Sequence, residues 1–407
     1  MSTLAVQSDE AEQRFMEAMT VSAEDDLYGA YRRLREAAPA LMTGDGTLVL
    51  SDFAECSAAL RHRALGKGEE LLGMQSAKVA DDIREAVTER LGRSMIMLNP
   101  PEHTRLRKQV SDQFTPRHIQ ALRALIEQRV DVLLDALAAG GGGDFVTDLA
   151  LPLPLQVIAD LLGIPEDDHA LIFPIAKDAA ELTSPDAPAE TIAEIIANGA
   201  RMSSYLSELL TRKRGEPQDD LLSRLVLASN RLTESETIGT ALLLFGAGFE
   251  TTVNLLGNGL SALLAHPGQM DLLRADPTLI PAAVEEFLRY DAPIQIDARS
   301  VLEPATLHGI DLTQGTMVIT ILGSANHDPA RFDHPDEFDI TRTDTEHLAF
   351  AAGPHFCLGA HLARLEAQVV FERLLNRFTT ITAGATPTRR PGIFLRGYNS
   401  LPITLTH

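Results

Sequence analysis

Phe350–Phe378 reads FAAGPHFCLGAHLARLEAQVVFERLLNRF, a glycine-punctuated loop running straight into a strongly helical segment. Cys357 stands at that junction, at a helix N-terminus. The positive end of the helix dipole and unpaired backbone N–H groups lower a thiol's pKa there and hydrogen-bond the sulfur, which predicts a thiolate. Gly353 and Gly359 let the backbone bend tightly and approach a flat ligand, while Phe350 and Phe356 dry the surroundings. A lone cysteine is by itself more often a small buried hydrophobe. The surrounding loop is what turns Cys357 into a candidate ligand.

Upstream, Thr233-x-x-Glu236 has the form of a capping box, and apolar residues recur at helical spacing to His266, just before Pro267. At 1.5 Å per residue, a helix of roughly thirty residues spans about 45 Å, enough to cross a globule of this size. Its middle, LLLFGAGFETTVNLL, is apolar on nearly every face but is interrupted by glycines and Glu250, so a core helix is the stronger reading and a membrane span the weaker. Between this helix and the cysteine, Glu286 and Arg289 stand at i, i+3 on a helical segment, where they face the same side and can form a charge-assisted pair.

The rest of the chain is mostly helical in pattern. Ser22 and Asp25 are candidate caps for DDLYGAYRRLREAAP, which Pro39 stops; Phe53–Arg63 is helical; Pro100-Pro101 opens a polar helix; and Thr115-Pro116 starts another that runs to Gly140–Gly143. Breaks fall at Pro165 and at Ser184–Pro188. Strand-like runs occur at Thr47–Ser51, Ile294–Val301, Gly315–Ile321 and Ile393–Leu395, with long irregular stretches at Leu65–Asn99 and from His327 to Phe350. The predicted class is mainly α with small β-sheets. Residues 1–20 are predicted to be a flexible tail, and residues 21–407 one catalytic domain, because no linker or fixed-period repeat divides them.

With 407 residues the chain can enclose a sizeable cofactor, and its formal charge of −22 disfavours nucleic acid and anionic membranes. The N-terminal residues carry acids where a signal peptide needs a basic start, and Cys56 and Cys357 lie far apart, so a reducing cytoplasmic setting is expected.

Phe350-x-x-Gly353-x-His355-x-Cys357-x-Gly359 resembles the haem-ligand loop of the cytochromes P450, with Ala351 where many bacterial members have Gly. Ala247-Gly-Phe-Glu-Thr-Thr252 resembles that family's oxygen-activation motif, and Glu286-x-x-Arg289 the pair that braces the core beneath the haem. Asn326–Pro329, Phe332 and Arg396-Gly397 extend the resemblance to all but the N-terminal tail. It implies a P450 fold whose long central helix lies over haem b (iron protoporphyrin IX), with Cys357 as the iron ligand. It implies Glu250 and Thr251 as the proton-delivering catalytic pair, and His103, Arg107, Arg299 and His355 as partners of the haem propionates. Gly248, Phe350, Gly353 and Gly359 would be further haem contacts, and Leu244, Ala247, Ile294, Ile296 and Phe394 would line the substrate pocket. Where the family often has a third cation near the Glu–Arg pair this chain has Glu337, with Arg342 as the substitute.

The activity implied is insertion of one oxygen atom from O₂ into a C–H bond of a hydrophobic small molecule. The AGFET form and Glu285–Tyr290 are similar to actinobacterial members that tailor macrolides and other polyketides in secondary metabolism. Electrons are expected from a separate ferredoxin or flavodoxin with its NAD(P)H reductase, docking near Arg105, Lys108 and Arg364. Specificity is assigned to Leu65–Asn99, Ala180–Ile195, Ile294–Ile296 and Ile393–Leu395. A non-catalytic haem-thiolate sensor or carrier is the alternative, and such a protein has no use for Glu250 and Thr251 as a proton relay.

Overall fold

Thr233 caps the central helix (Glu234–Ala265) as its sequence predicts: the Glu236 N–H donates to the Thr233 hydroxyl at 3.2 Å and the Thr233 N–H to the Glu236 carboxylate at 2.8 Å. The computed structural model describes residues 8–22, 26–68, 71, 94–179, 189–228, 232–307 and 309–406. The central helix is long and apolar enough to cross a bilayer. Its residues 252–260, however, are all buried against protein. Helices Pro152–Leu162, Ile280–Tyr290, Ala189–Gly215 and Ala360–Arg377 pack around it and share one apolar core with it. A helix apolar all round requires such a jacket.

Beside this helical layer lies a five-stranded sheet in the order Ala40–Met42, Leu48–Leu50, Met317–Ile321, Ile296–Val301, Leu65–Gly66. Leu48–Leu50 and Met317–Ile321 run parallel and the other neighbours antiparallel. Side chains alternate along Ile296–Val301, so Asp297 and Arg299 fall on one face. Ile294 meets Leu395 in an isolated bridge that sets the Phe394 tip against the start of this strand. The C-terminal strand Pro402–Thr406 pairs with Gly142–Asp144 and Thr380–Ala383 in a three-stranded sheet. Mainly α with small sheets is the class observed.

Several local expectations change. The tail predicted to be flexible over residues 1–20 is helical at Asp9–Thr20, capped by Ser8 and packed on Leu27–Ala37. Ala11 and Ala18 are buried there, and Phe15 and Met19 complete the stripe, a helical spacing that the acidic residues between them obscure. Asp26 caps Leu27–Ala37 by accepting the Gly29 N–H at 2.8 Å, and the predicted Asp25 lies outside the described residues. The run from Thr115 to Gly140 is two helices, Pro116–Ala121 and Arg123–Ala139. Most of Leu65–Asn99 and residues 180–188, including the Ser184–Pro188 break, lie outside the described residues.

Candidate active site

The loop before helix Ala360–Arg377 folds back on itself through backbone bonds. Cys357 N–H donates to Phe350 O at 3.0 Å, and Phe356 N–H to Gly353 O at 3.1 Å. Gly353 has φ +71°, and a Cβ there would lie 2.3 Å from the Leu60 carbonyl oxygen of helix Phe53–Arg61. Its glycine is therefore needed on the outer side of the loop, by a neighbouring helix. It is not among the residues that line the cavity described below, whereas Gly359 is. Ala351 has φ +54°, a conformation in which a Cβ crowds the following carbonyl. This is where the departure from glycine acts. Ala351→Gly is expected to stabilise the protein by about 1 kcal/mol, net of glycine's greater unfolded-state freedom, in denaturant melts of the two proteins.

Cys357 opens on a cavity of about 490 Å³ between the central helix and the cysteine loop. Glu250, Thr251, His103, Arg107, Gly248, Arg299, Phe350, His355, Gly359, Leu244, Ala247, Ile294, Ile296 and Phe394 all line it. The sequence thus assembles one chamber from segments almost three hundred residues apart. The Gly359 N–H and the charges of Arg107 and Arg364 favour the thiolate, but burial outweighs them and pushes the Cys357 thiol above its ordinary pKa. The predicted lowering by the helix N-terminus is therefore not enough on its own; a bound metal ion deprotonates a coordinating thiol outright. Phe350 is buried, whereas Phe356 is 41% exposed and dries the loop less than expected.

Opposite the loop, the Thr251 hydroxyl donates to Ala247 O at 3.2 Å, an i−4 bond of the kind that loosens a helix locally. A Cβ at Gly248 would meet Ile158 at 3.1 Å, so this glycine lets helix Pro152–Leu162 pack close to the cavity roof. Glu250 lies 2.8 Å from the Arg390 guanidinium, a partner from the C-terminal segment. Burial raises the Glu250 pKa to about 7, with Arg390 pulling the other way.

The cationic wall is richer than predicted. Arg299 donates to Asp297 at 2.7 Å, and Lys67 donates to the same carboxylate at 2.9 Å. Asp297 is mostly shielded from solvent, which raises its pKa, yet Lys67 and Arg299 hold it below the usual carboxylate value. Neither Lys67 nor Asp297 was singled out from sequence. The His103 and His355 rings pack at a 42° tilt with centroids 4.4 Å apart. Burial, reinforced by Arg299, lowers His355 to about 3, and burial with Arg107 also lowers His103, so both rings are neutral near pH 7. Arg107 donates to Phe356 O at 2.6 Å and Pro354 O at 3.3 Å, bracing the cysteine loop directly.

Arg299 Nη2, His103 Nδ1 and His355 Nε2 are buried, lack hydrogen-bond partners and belong to residues that line the cavity. Orphaned polar atoms of this kind require a ligand or water. Donors on a wall where Lys67 and Arg299 outnumber Asp297 suit a ligand bearing carboxylates, and the thiol on the adjoining wall suits a metal. The residues present therefore fit an iron porphyrin with propionate groups.

Beneath the site, Glu286 and Arg289 are each 1% exposed and pair bidentately at 2.7 and 2.8 Å. Arg289 also donates to the Asn326, Pro335 and Glu337 carbonyls, while Glu286 accepts the Asp339 N–H. Arg342 Nε lies 3.3 Å from Glu286 and is the third cation; Glu337 contributes its backbone instead. Of the expected docking cations, Arg105 is ion-paired with Glu236 and Arg364 with Glu285, and Lys108 is exposed.

The Cytochrome P450 family model matches residues 186–396. The chain is 40% identical over 394 residues to the cytochrome P450 monooxygenase PikC of Streptomyces venezuelae, covering 93% of this chain and 91% of that protein. It is 41% identical over 320 residues to the polyketide biosynthesis cytochrome P450 PksS of Bacillus subtilis (strain 168), covering 77% and 78%. The crystal structure of CalO2 superimposes with a TM-score of 0.87 at 31% identity, covering 95% of this chain and 99% of that one. The chain belongs to the cytochrome P450 family, whose members carry haem b and act as monooxygenases.

Proposed function

We propose that the cavity holds haem b with the Cys357 sulfur as iron ligand, and that Glu250 and Thr251 serve oxidation of a hydrophobic, polyketide-like small molecule. The observation that carries this is the thiol sharing one cavity with orphaned Arg299, His103 and His355 donors on one side and the Glu250–Thr251 turn on the other. Arg299, His103 and His355 would hold the propionates, with Lys67 neutralising Asp297. The haem, once bound, supplies activation of O₂ for insertion of one oxygen atom into a substrate C–H bond.

The chain's own part is to exclude water, orient the substrate and move protons. Leu244, Ala247, Ile294, Ile296, Phe394 and Leu395 give the distal wall an apolar lining, which supports a largely apolar substrate. The name of PksS places that relative in polyketide biosynthesis, and this supports the same substrate class here. Glu250 is the proton carrier and Thr251, with its hydroxyl bonded to Ala247 O, the group that presents protons to the distal side. A ferredoxin or flavodoxin with its NAD(P)H reductase supplies electrons. Within the expected docking patch Lys108 and Arg105 are exposed, Arg105 paired with Glu236, while Arg364 is engaged with Glu285. The charge of −22 supports a cytoplasmic protein without nucleic-acid or membrane partners.

Thr251→Ala is expected to divert electrons from product to peroxide and water, lowering product per electron by about 10²-fold, the usual weight of a positioned proton donor. Product and reductant consumption measured together check this. A haem sensor would show no change in ligand response. Replacing Arg390 by Gln removes the charge that holds Glu250 down, so its pKa rises beyond about 7. A proton donor works in its protonated form, and the alkaline limb of the coupling profile is therefore expected to move to higher pH.

A further inference from the structure

Arg364 projects from the first turns of the helix that follows Cys357 and is spoken for on two sides. Its Nε donates to Glu285 Oε1 at 2.6 Å and its Nη2 to Glu285 Oε2 at 2.8 Å, a bidentate pair that fixes the plane of the guanidinium. That plane stands 4.6 Å from the centroid of Phe350, the residue whose carbonyl accepts the Cys357 N–H. His347 joins from the irregular stretch, its Nε2 lying 3.2 Å from Glu285 Oε2 and its ring 5.8 Å from that of Phe350. Burial alone would raise the Glu285 pKa, but Arg364 and His347 hold it at about 2, so it is a carboxylate throughout the working pH range. Arg364 thus stands one ring away from the backbone bond that holds Cys357, and its charge, like that of Arg107, favours the thiolate. Arg107 spends its hydrogen bonds on loop carbonyls and has no acidic partner in its described contacts, whereas Arg364 carries its own counter-ion.

We propose that Arg364, clamped by Glu285 over the Phe350 ring, is a positioning residue that sets how strongly the Cys357 sulfur donates electron density to the iron, with Glu285 as the counter-charge that limits it. The proposal rests on the reading of Cys357 as the haem ligand. A cation near a thiolate stabilises negative charge on sulfur and weakens its donation to the metal, which favours the reduced iron. The carboxylate beyond the cation cancels part of that field. Because both side chains are only partly exposed, 25% and 18%, solvent screens the pair incompletely. Arg364 is thereby removed from the partner-docking surface and assigned to the electronics of the site.

The test is a charge cycle read by the ferric/ferrous midpoint potential of the purified holoprotein. Arg364→Gln is expected to shift the midpoint negative and Glu285→Gln to shift it positive, with the double variant returning close to the parent. Arg364→Lys, which keeps the charge but loses the bidentate geometry and the stacking, is expected to lie between Arg364→Gln and the parent. A merely structural role would move both single variants in the same direction, and a docking role would leave the midpoint fixed while slowing reduction by the protein donor; either result overturns the proposal. Should Arg364→Gln fail to hold haem, the positive shift in Glu285→Gln decides alone. The carbon monoxide spectrum of the reduced parent separates the two layers: a band without thiolate character sinks the assignment of Cys357, whereas a thiolate band with unchanged midpoints sinks only the role of Arg364.

Discussion

Cys357→Ser is expected to abolish turnover and to move the carbon monoxide band of the reduced protein away from its thiolate position, while haem binding is weakened without being lost. The hydroxyl of serine occupies nearly the same space as the thiol, so the Phe350 O bond to the backbone N–H and the packing of the loop survive the change. What disappears is the soft, easily ionised ligand. Burial already pushes the Cys357 thiol up, and only a coordinated metal reverses this; a hydroxyl in the same place ionises far less readily. Arg299, His103 and His355 stand on a separate wall and keep their complement for two carboxylates, so residual haem content measures their share. Retention of the parent Soret spectrum together with turnover would show that the iron is held elsewhere. Loss of haem with the fold intact would instead show that the sulfur supplies most of the affinity.

Chemistry written in contiguous residues was legible before any coordinates. The Thr233–Glu236 capping box, the cysteine at a helix start and the i, i+3 Glu286–Arg289 pair are all settled within a few positions of one another. Their assembly round one cavity was legible only through the family resemblance, since periodicity carries no information about which helix faces which. Groups whose meaning is purely tertiary escaped notice. Lys67 follows a two-residue strand and gives no local signal, yet it shares Asp297 with Arg299. Arg390 sits among exposed turn residues and becomes informative only because Glu250 lies beside it. Arg364 looked like a surface cation because a helix bearing alternating charges does not reveal that one of them is clamped by a neighbouring helix. The helix at Asp9–Thr20 was masked for the opposite reason: its buried face is made mostly of small alanines, which carry little hydrophobic contrast.

Glu286→Ala should destabilise the protein by about 3–5 kcal/mol, the cost of leaving one member of a buried pair uncompensated. Domains have only about 5–15 kcal/mol to lose, so the variant is expected to accumulate poorly and largely without haem. The size of the effect follows from how many groups converge on this carboxylate. Arg289 Nε and Nη2 and the Asp339 N–H lose their acceptor at once, and Arg342 loses its counter-charge. Glu286→Gln keeps the shape and one acceptor oxygen but neither the charge nor the second acceptor, and should fall between the parent and Glu286→Ala. Removing Arg289 instead orphans the Asn326, Pro335 and Glu337 carbonyls, which tie the irregular stretch ahead of the cysteine loop to helix Ile280–Tyr290. Arg289→Met should therefore be as damaging as Glu286→Ala, even though it leaves no buried cation. If urea melts of both variants matched the parent within about 0.5 kcal/mol, the range of an ordinary surface substitution, the pair would have no part in holding the loop. The cysteine would then owe its place to the Gly353 contact with Leu60 and the Arg107 brace alone.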